Sequence, residues 1–160
     1  MSKTPGGYLT DFAYDNNGRL KKTVRYTQEN TTETTRITYN ELGQKTKEVA
    51  PNLYDASLEN PHTLAYDGDH GYRYIYNSSG EIATIIDPEN NSTAFTYDLY
   101  GNIVTETKPD GTIYQYEYDG INRLTKRHIS QTGVSEEYSY AVLTDGKSKT
   151  TQKRYLNDTT

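Results

Sequence analysis

Apolar and polar residues alternate with a period of two along most of this chain. Phe12 and Tyr14 share one parity, as do Ile37 and Tyr39, Tyr72, Tyr74 and Tyr76, Phe95 and Tyr97, Tyr114, Tyr116 and Tyr118, and Tyr138 and Tyr140. Side chains two apart in an extended segment lie on one face, so each set predicts a half-buried strand. Threonine is abundant in the same windows and suits such a surface. A second run follows each set, as from Asn102 to Thr107 or from Glu81 to Ile86. No stretch carries a helical period, and Pro, Gly, Asn and Thr are spread too evenly for long helices.

Between the paired runs stands one recurring motif, Tyr-Asp/Asn-x-x-Gly. It reads Tyr14-Asp15…Gly18, Tyr39-Asn40…Gly43, Tyr76-Asn77…Gly80, Tyr97-Asp98…Gly101 and Tyr118-Asp119…Asn122, with a degenerate copy at Tyr140. The period in the later units is about 21 residues, and units one and two are longer. An Asp or Asn opening a turn bonds its side chain to backbone N–H groups two residues on. The Gly fits the left-handed residue that closes a type I turn with a bulge, and Asn122 is the next most tolerant residue there. A second turn joins successive units: "KPDG" at 108–111, "DPEN" at 87–90, and weaker versions in "SQTG" and "LTDG".

The expected fold is therefore all-β, a series of tandem antiparallel β-hairpin repeats forming a curled, twisted sheet. It comprises one domain over residues 1–160, about six hairpin units and roughly twelve strands. The segment 51–71 breaks the pattern and predicts a loop insertion between units two and three, with one short helical turn at "YDASLEN".

Composition changes this picture in one respect. Only 32% of residues are apolar and mean hydropathy is −0.97, values that suit a disordered chain. Yet 17 residues are Tyr, against 2 Phe and no Trp, and they fall on the strand parity, so the rings are the expected core. Net charge is −5 with both signs interspersed, which excludes a nucleic-acid surface. Cysteine is absent, which removes disulfide frameworks, zinc knuckles and thiol catalysis. No apolar run approaches a membrane span, and "MSKTPGG" lacks a signal-peptide core, so the chain is either cytosolic or a piece of a longer protein, and the repeats favour the second.

The pattern "Y-x-Y-D-x-x-G-R/N-L/I…P-D-G-T-x-Y-x-Y" resembles the Rhs or YD-repeat family over about residues 8–140, with "YDNNGRL" and "YDGINRL" as near-consensus copies. The resemblance implies a segment of a hollow shell. In such families these shells enclose a C-terminal toxin in polymorphic bacterial toxins and in the C component of insecticidal toxin complexes. Related shells occur in wall-associated proteins and in teneurins. It further implies a non-catalytic scaffold, secreted or on the cell surface as part of a larger bacterial protein. Its partners would be neighbouring repeats of the parent chain and an enclosed toxin domain. The protease-like core that follows the repeats in toxin members has no counterpart here. Sheet edges left by cutting an array would invite self-association.

Candidate chemistry is sparse. Asp67, Asp69 and His70 cluster in "DGDHG", but the later ligands of a calcium loop are missing, so a Gly-Asp turn is the simpler reading and no cofactor is expected. The motif aspartates recur in unit after unit, as turn residues do and a catalytic pair does not. No G-x-S-x-G elbow or phosphate loop is present. The remaining candidate is a surface that binds carbohydrate or protein. Tyr72, Tyr74, Tyr114 and Tyr116 could stack on sugar rings, against the alternative that they pack the sheet.

Overall fold

The computed structural model describes residues 2–3, 9–27, 31–60, 66 and 70–156. Thirteen strands are present among them: β1 (Ser2–Lys3), β2 (Leu9–Tyr14), β3 (Leu20–Tyr26), β4 (Thr32–Tyr39), β5 (Lys45–Val49), β6 (Tyr72–Tyr76), β7 (Ile82–Ile86), β8 (Ser92–Tyr97), β9 (Ile103–Thr107), β10 (Ile113–Tyr118), β11 (Leu124–Ile129), β12 (Val134–Val142) and β13 (Ser148–Tyr155). The chain divides into two compact units, Met1–Ile75 with Ile86–Asn90, and Tyr76–Ile85 with Asn91–Thr160. Within each, strands adjacent in sequence are adjacent in the sheet, and β2 to β5 and β8 to β13 pair antiparallel. The fold is all-β.

The hairpins share one turn geometry. In the first, Asp15 N–H donates to Arg19 O at 2.8 Å and Gly18 N–H donates to Asp15 O at 3.0 Å. The strand register then slips by one residue beside the motif tyrosine, between Ala13 and Tyr14, Thr38 and Tyr39, Thr96 and Tyr97, and Glu117 and Tyr118. A three-residue turn closed by a left-handed residue leaves one residue unmatched on the returning strand, and the slip absorbs it. The joining turn has the same backbone: Lys108 N–H donates to Thr112 O and Gly111 N–H to Lys108 O. "LTDG" lies between β12 and β13, as the last unit's own turn and not a joining one, and repeats this through Leu143, Gly146 and Lys147.

In the first unit, the segment 51–60 holds two 3-10 turns, Pro51–Leu53 and Ala56–Leu58, the second inside "YDASLEN". It is pinned to the strands by charge. Lys22 Nζ donates to the Glu59 carboxylate at 2.9 Å, and the Tyr54 hydroxyl donates to the same group. These hydrogen bonds outweigh the burial of Glu59 and hold its carboxyl below the usual range. Tyr54 and Tyr66 stack with centroids 5.5 Å apart.

The interior differs from the expected tyrosine core. Only Val49 and Val134 are buried apolar side chains among the described residues, at 1% and 8% exposure. Tyr97, Tyr114, Tyr116, Tyr118, Tyr138 and Tyr140 are half-buried. A sheet not covered by a second layer cannot bury a ring on all sides. The tyrosine face is instead covered by charged side chains: Tyr114 stands opposite Glu106 in the register, and Arg127 and Lys108 lie over its ring at 4.7 and 5.8 Å.

Candidate functional site

The feature each unit repeats is the junction between its own turn and the next unit. It has three parts.

The first is the turn side chain. Asp15 Oδ1 accepts from Asn17 N–H and Arg19 N–H, both at 2.9 Å, and Oδ2 accepts from Arg19 Nε at 2.6 Å. Asp98 and Asp119 repeat the pattern, Asp98 with Asn102 Nδ2 at 2.9 Å and Asp119 with Arg123 Nε at 2.7 Å. Backbone N–H donation from Arg19 and from Arg123 leads in holding the Asp15 and Asp119 carboxyls below their ordinary value, and Asn102 leads for Asp98.

Where the motif has Asn, the polarity reverses. Asn40 Oδ1 accepts from Gln44 N–H while its Nδ2 donates to Gln44 Oε1 at 2.7 Å. Asn77 Oδ1 accepts from Ser79 and Glu81 N–H while its Nδ2 donates to Glu81 Oε2 at 2.8 Å. The backbone uses one oxygen in every case, so the second atom decides what the partner must be. Asp leaves an acceptor and is met by Arg or Asn; Asn leaves a donor and is met by Gln or Glu.

The second part is the residue in the left-handed position. Gly18, Gly43, Gly80 and Gly101 all take positive φ, and Asn122 does so at φ 61°. Asn90 does the same in "DPEN" at 67°. Asn122 also accepts from Asn102 Nδ2 at 3.0 Å through Oδ1, which ties two successive turns together.

The third part is the tyrosine hydroxyl. Tyr39 donates to Leu20 O at 2.9 Å, Tyr97 to Ile82 O at 2.7 Å, Tyr118 to Ile103 O at 2.9 Å and Tyr140 to Leu124 O at 2.7 Å. Each acceptor belongs to the residue just after the turn partner of the preceding unit. Burial raises the pKa of Tyr97 and of Tyr118, with Glu81 and Asp98 adding to the respective shifts. Tyr140, in the unit whose turn lacks the Asp, still makes this bond. Two turn arginines complete the junction from the other side: Arg19 lies over the Tyr39 ring at 4.8 Å and Arg123 over Tyr140 at 4.3 Å.

Sequence reasoning missed the turn partners Arg19, Gln44, Glu81, Asn102 and Arg123. Their signal was present, since Asp is followed four residues on by a donor and Asn by an acceptor. Of the four tyrosines considered for sugar stacking, Tyr72 is 45% exposed. Tyr74 has Lys45 over its ring at 4.6 Å, Tyr114 has its two cations, and Tyr116 is half-buried and donates to Glu106 Oε2 at 3.0 Å. Burial and that bond push the Tyr116 pKa up to about 12.

His70 is exposed, while Asp67 and Asp69 lie outside the described residues. Among the described residues no group of three or more His, Asp and Glu side chains could hold a metal ion. No helix among them is long and apolar enough to cross a membrane.

The RHS Repeat family pattern matches residues 76–113 and again 100–134. Residues 76–134 carry RHS repeats. The two matched windows overlap, as they would for a unit read in successive registers. No curated protein matches this chain in sequence. Solved structures share its fold, among them two that contain TccC3. One is the Photorhabdus luminescens Tc holotoxin pore carrying a mutant TccC3, at 16% identity over 95% of this chain with a TM-score of 0.66. The other is a TcdB2-TccC3-Cdc42 crystal structure, at 17% identity over 93% with a TM-score of 0.60. This chain spans 8% of the length of each.

Proposed function

We propose that this chain is a non-catalytic wall segment of a larger exported bacterial toxin or cell-surface protein, its hairpins forming part of a shell around a toxin domain. One observation carries the reading: the residues that recur in every unit are spent on holding the wall together. The motif aspartates and asparagines accept backbone hydrogen bonds of their own turn, and four tyrosine hydroxyls close on the unit before. Carboxylates held ionised by two or three donors are poor general acids at neutral pH. The RHS repeats and the fold shared with Tc toxin assemblies support the same reading. Its partners are then neighbouring repeats and the enclosed domain.

The test is protection of a cargo. In the parent polypeptide, a protease added from outside should leave a domain enclosed by the repeats uncut. Tyr97→Phe combined with Tyr118→Phe and Gly101→Val should open it to digestion. Equal digestion in the intact and altered proteins overturns the proposal.

A further inference from the structure

The two ends of the hairpins in the second unit differ in chemistry. At one end lie the motif turns 77–80, 98–101 and 119–122 and the last turn, 143–146; at the other lie the joining turns 108–111 and 130–133. The joining turns place Pro109-Asp110 and Gln131-Thr132 at their tips, and the first motif turn places Ser78-Ser79. The next two motif turns place Leu99-Tyr100 and Gly120-Ile121. The turn itself asks for the Asp before these residues and the left-handed residue after them, so its backbone has no use for an apolar side chain at the tip. Leu99, Tyr100 and Ile121 are nevertheless 102%, 81% and 70% exposed, and Val142 and Leu143 continue the exposed row at the last hairpin.

These tips form a row and not scattered points. Neighbouring motif turns stand two strands apart, about 10 Å. A Cβ on Gly101 would stand 3.4 Å from Glu81 Oε1, Asn102 Nδ2 donates to Asn122 Oδ1, and Arg123 lies over the Tyr140 ring. Leu99, Tyr100 and Ile121 thus have a neighbouring turn in place on both sides. Their exposure belongs to the rim and not to a sheet edge.

Two features choose the occupant. The first is area. Five apolar side chains offer about 100 Å² each, short of the roughly 800 Å² that each partner contributes to a stable protein interface. The tips also project singly, each from its own hairpin, so a folded partner would need a separate pocket for each, whereas lipid flows around a projection. The second is charge. The four turns, with the residue after each, hold Glu81, Asp98, Asp119 and Asp145 against Arg123 and Lys147. That excess of carboxylates gives no attraction to an anionic surface.

We propose that the motif-turn rim of the second unit, with Leu99, Tyr100, Ile121 and Val142 at its tips, is a shallow insertion edge for a zwitterionic lipid surface. The aliphatic tips enter the acyl boundary, and the Tyr100 ring sits at headgroup level with its hydroxyl in water. A contiguous exposed apolar row bordered by polar residues is what such a surface requires. This edge does not depend on the shell reading.

The chain has no tryptophan, so Leu99→Trp gives a single reporter on this rim, and Thr132→Trp gives one at an exposed tip of the opposite rim. In the whole 160-residue chain, phosphatidylcholine vesicles should shift the emission at position 99 to the blue, and brominated acyl chains should quench it; position 132 should show neither. The native chain should sediment with sucrose-loaded vesicles, and Leu99→Asp with Ile121→Asp should weaken that partitioning roughly tenfold or more. Phosphatidylserine mixed into the vesicles should not strengthen binding. Should the double variant unfold, the two reporters still decide the matter. No shift at position 99, an equal shift at 132, or tighter binding to phosphatidylserine overturns the proposal. So does a blue shift at 99 with protein concentration alone, or in the parent polypeptide before lipid is added, since a protein surface would then cover the rim.

Discussion

Asn77 donates its side-chain amide to the Glu81 carboxylate at 2.8 Å, while the same oxygen-accepting turn is kept by its Oδ1. The pair is polar in one sense only. Asn77→Asp would set two carboxylates against each other, and Glu81→Arg would set two donors together. Each alone should lower stability by about 1 kcal/mol, and the double variant should recover most of the loss, because it recreates the Asp15–Arg19 arrangement. Thermal or urea melts of the four proteins give the coupling; simple additivity would count against matched polarity.

The tyrosine hydroxyls are tested by Phe. A half-covered ring contributes only about 1–2 kcal/mol by burial, so a hydroxyl bond of about 1 kcal/mol is a large share of what the residue does. Tyr118→Phe should cost about that much by leaving Ile103 O without its donor. Tyr14 is 55% exposed and none of the side-chain bonds among the described residues involves its hydroxyl, so Tyr14→Phe should be close to neutral. Equal losses at the two positions would assign the effect to the ring surface instead.

Two glycines differ in what they resist. Gly101 takes φ 83°, and its added Cβ would stand 3.4 Å from Glu81 Oε1, an ordinary contact. Backbone conformation alone decides there, so Gly101→Asn should be mild and Gly101→Val should cost about 1–2 kcal/mol more. Gly71 takes φ 122°, and its Cβ would fall 2.4 Å from Glu48 O. Gly71→Ala should then destabilise by about 1–3 kcal/mol through overpacking beside Val49. Melting temperatures rank the three; Gly71→Ala behaving like Gly101→Asn would rule out the close approach.

The turn carboxylates make stability depend on pH. Asp15, Asp98, Asp110, Asp119 and Asp145 all have folded-state pKa values below their ordinary ones. Their contribution is complete above the unfolded value of about 3.9 and is lost as pH falls through the folded values. Melting temperature should therefore hold from neutral pH down to about 4 and fall below it. At the alkaline end, Tyr54 and Tyr116 are raised to about 12. Their contribution is complete below the unfolded value of about 10 and lost as pH rises toward the folded one. A melting temperature unchanged between pH 10 and 12 would contradict the burial of these hydroxyls.

The strands and both turn types were legible because each is written in local order: alternation for the strands, and Asp or Asn with Gly for the turns. The junctions were legible only in part. Asp15 with Arg19 and Asn77 with Glu81 lie within five-residue windows, but treating Asp and Asn as equivalent turn formers hides the choice of partner. The acceptors Leu20 O, Ile82 O, Ile103 O and Leu124 O left no trace, since a backbone carbonyl has no identity in sequence. The cover over the tyrosine face needs the register that sets Glu106 beside Tyr114, and the pinning of the 51–60 segment needs Lys22 to meet Glu59, 37 residues on.

That the tyrosine hydroxyl lands on a carbonyl, which every residue possesses, bears on how such an array can change over generations. For that bond, a unit asks nothing particular of the side chains before it. Units can then be duplicated, deleted or recombined whole, and the newcomer's tyrosine finds an acceptor whatever sequence precedes it. Drift inside a unit is more constrained, because a change at the turn residue must be answered four positions on.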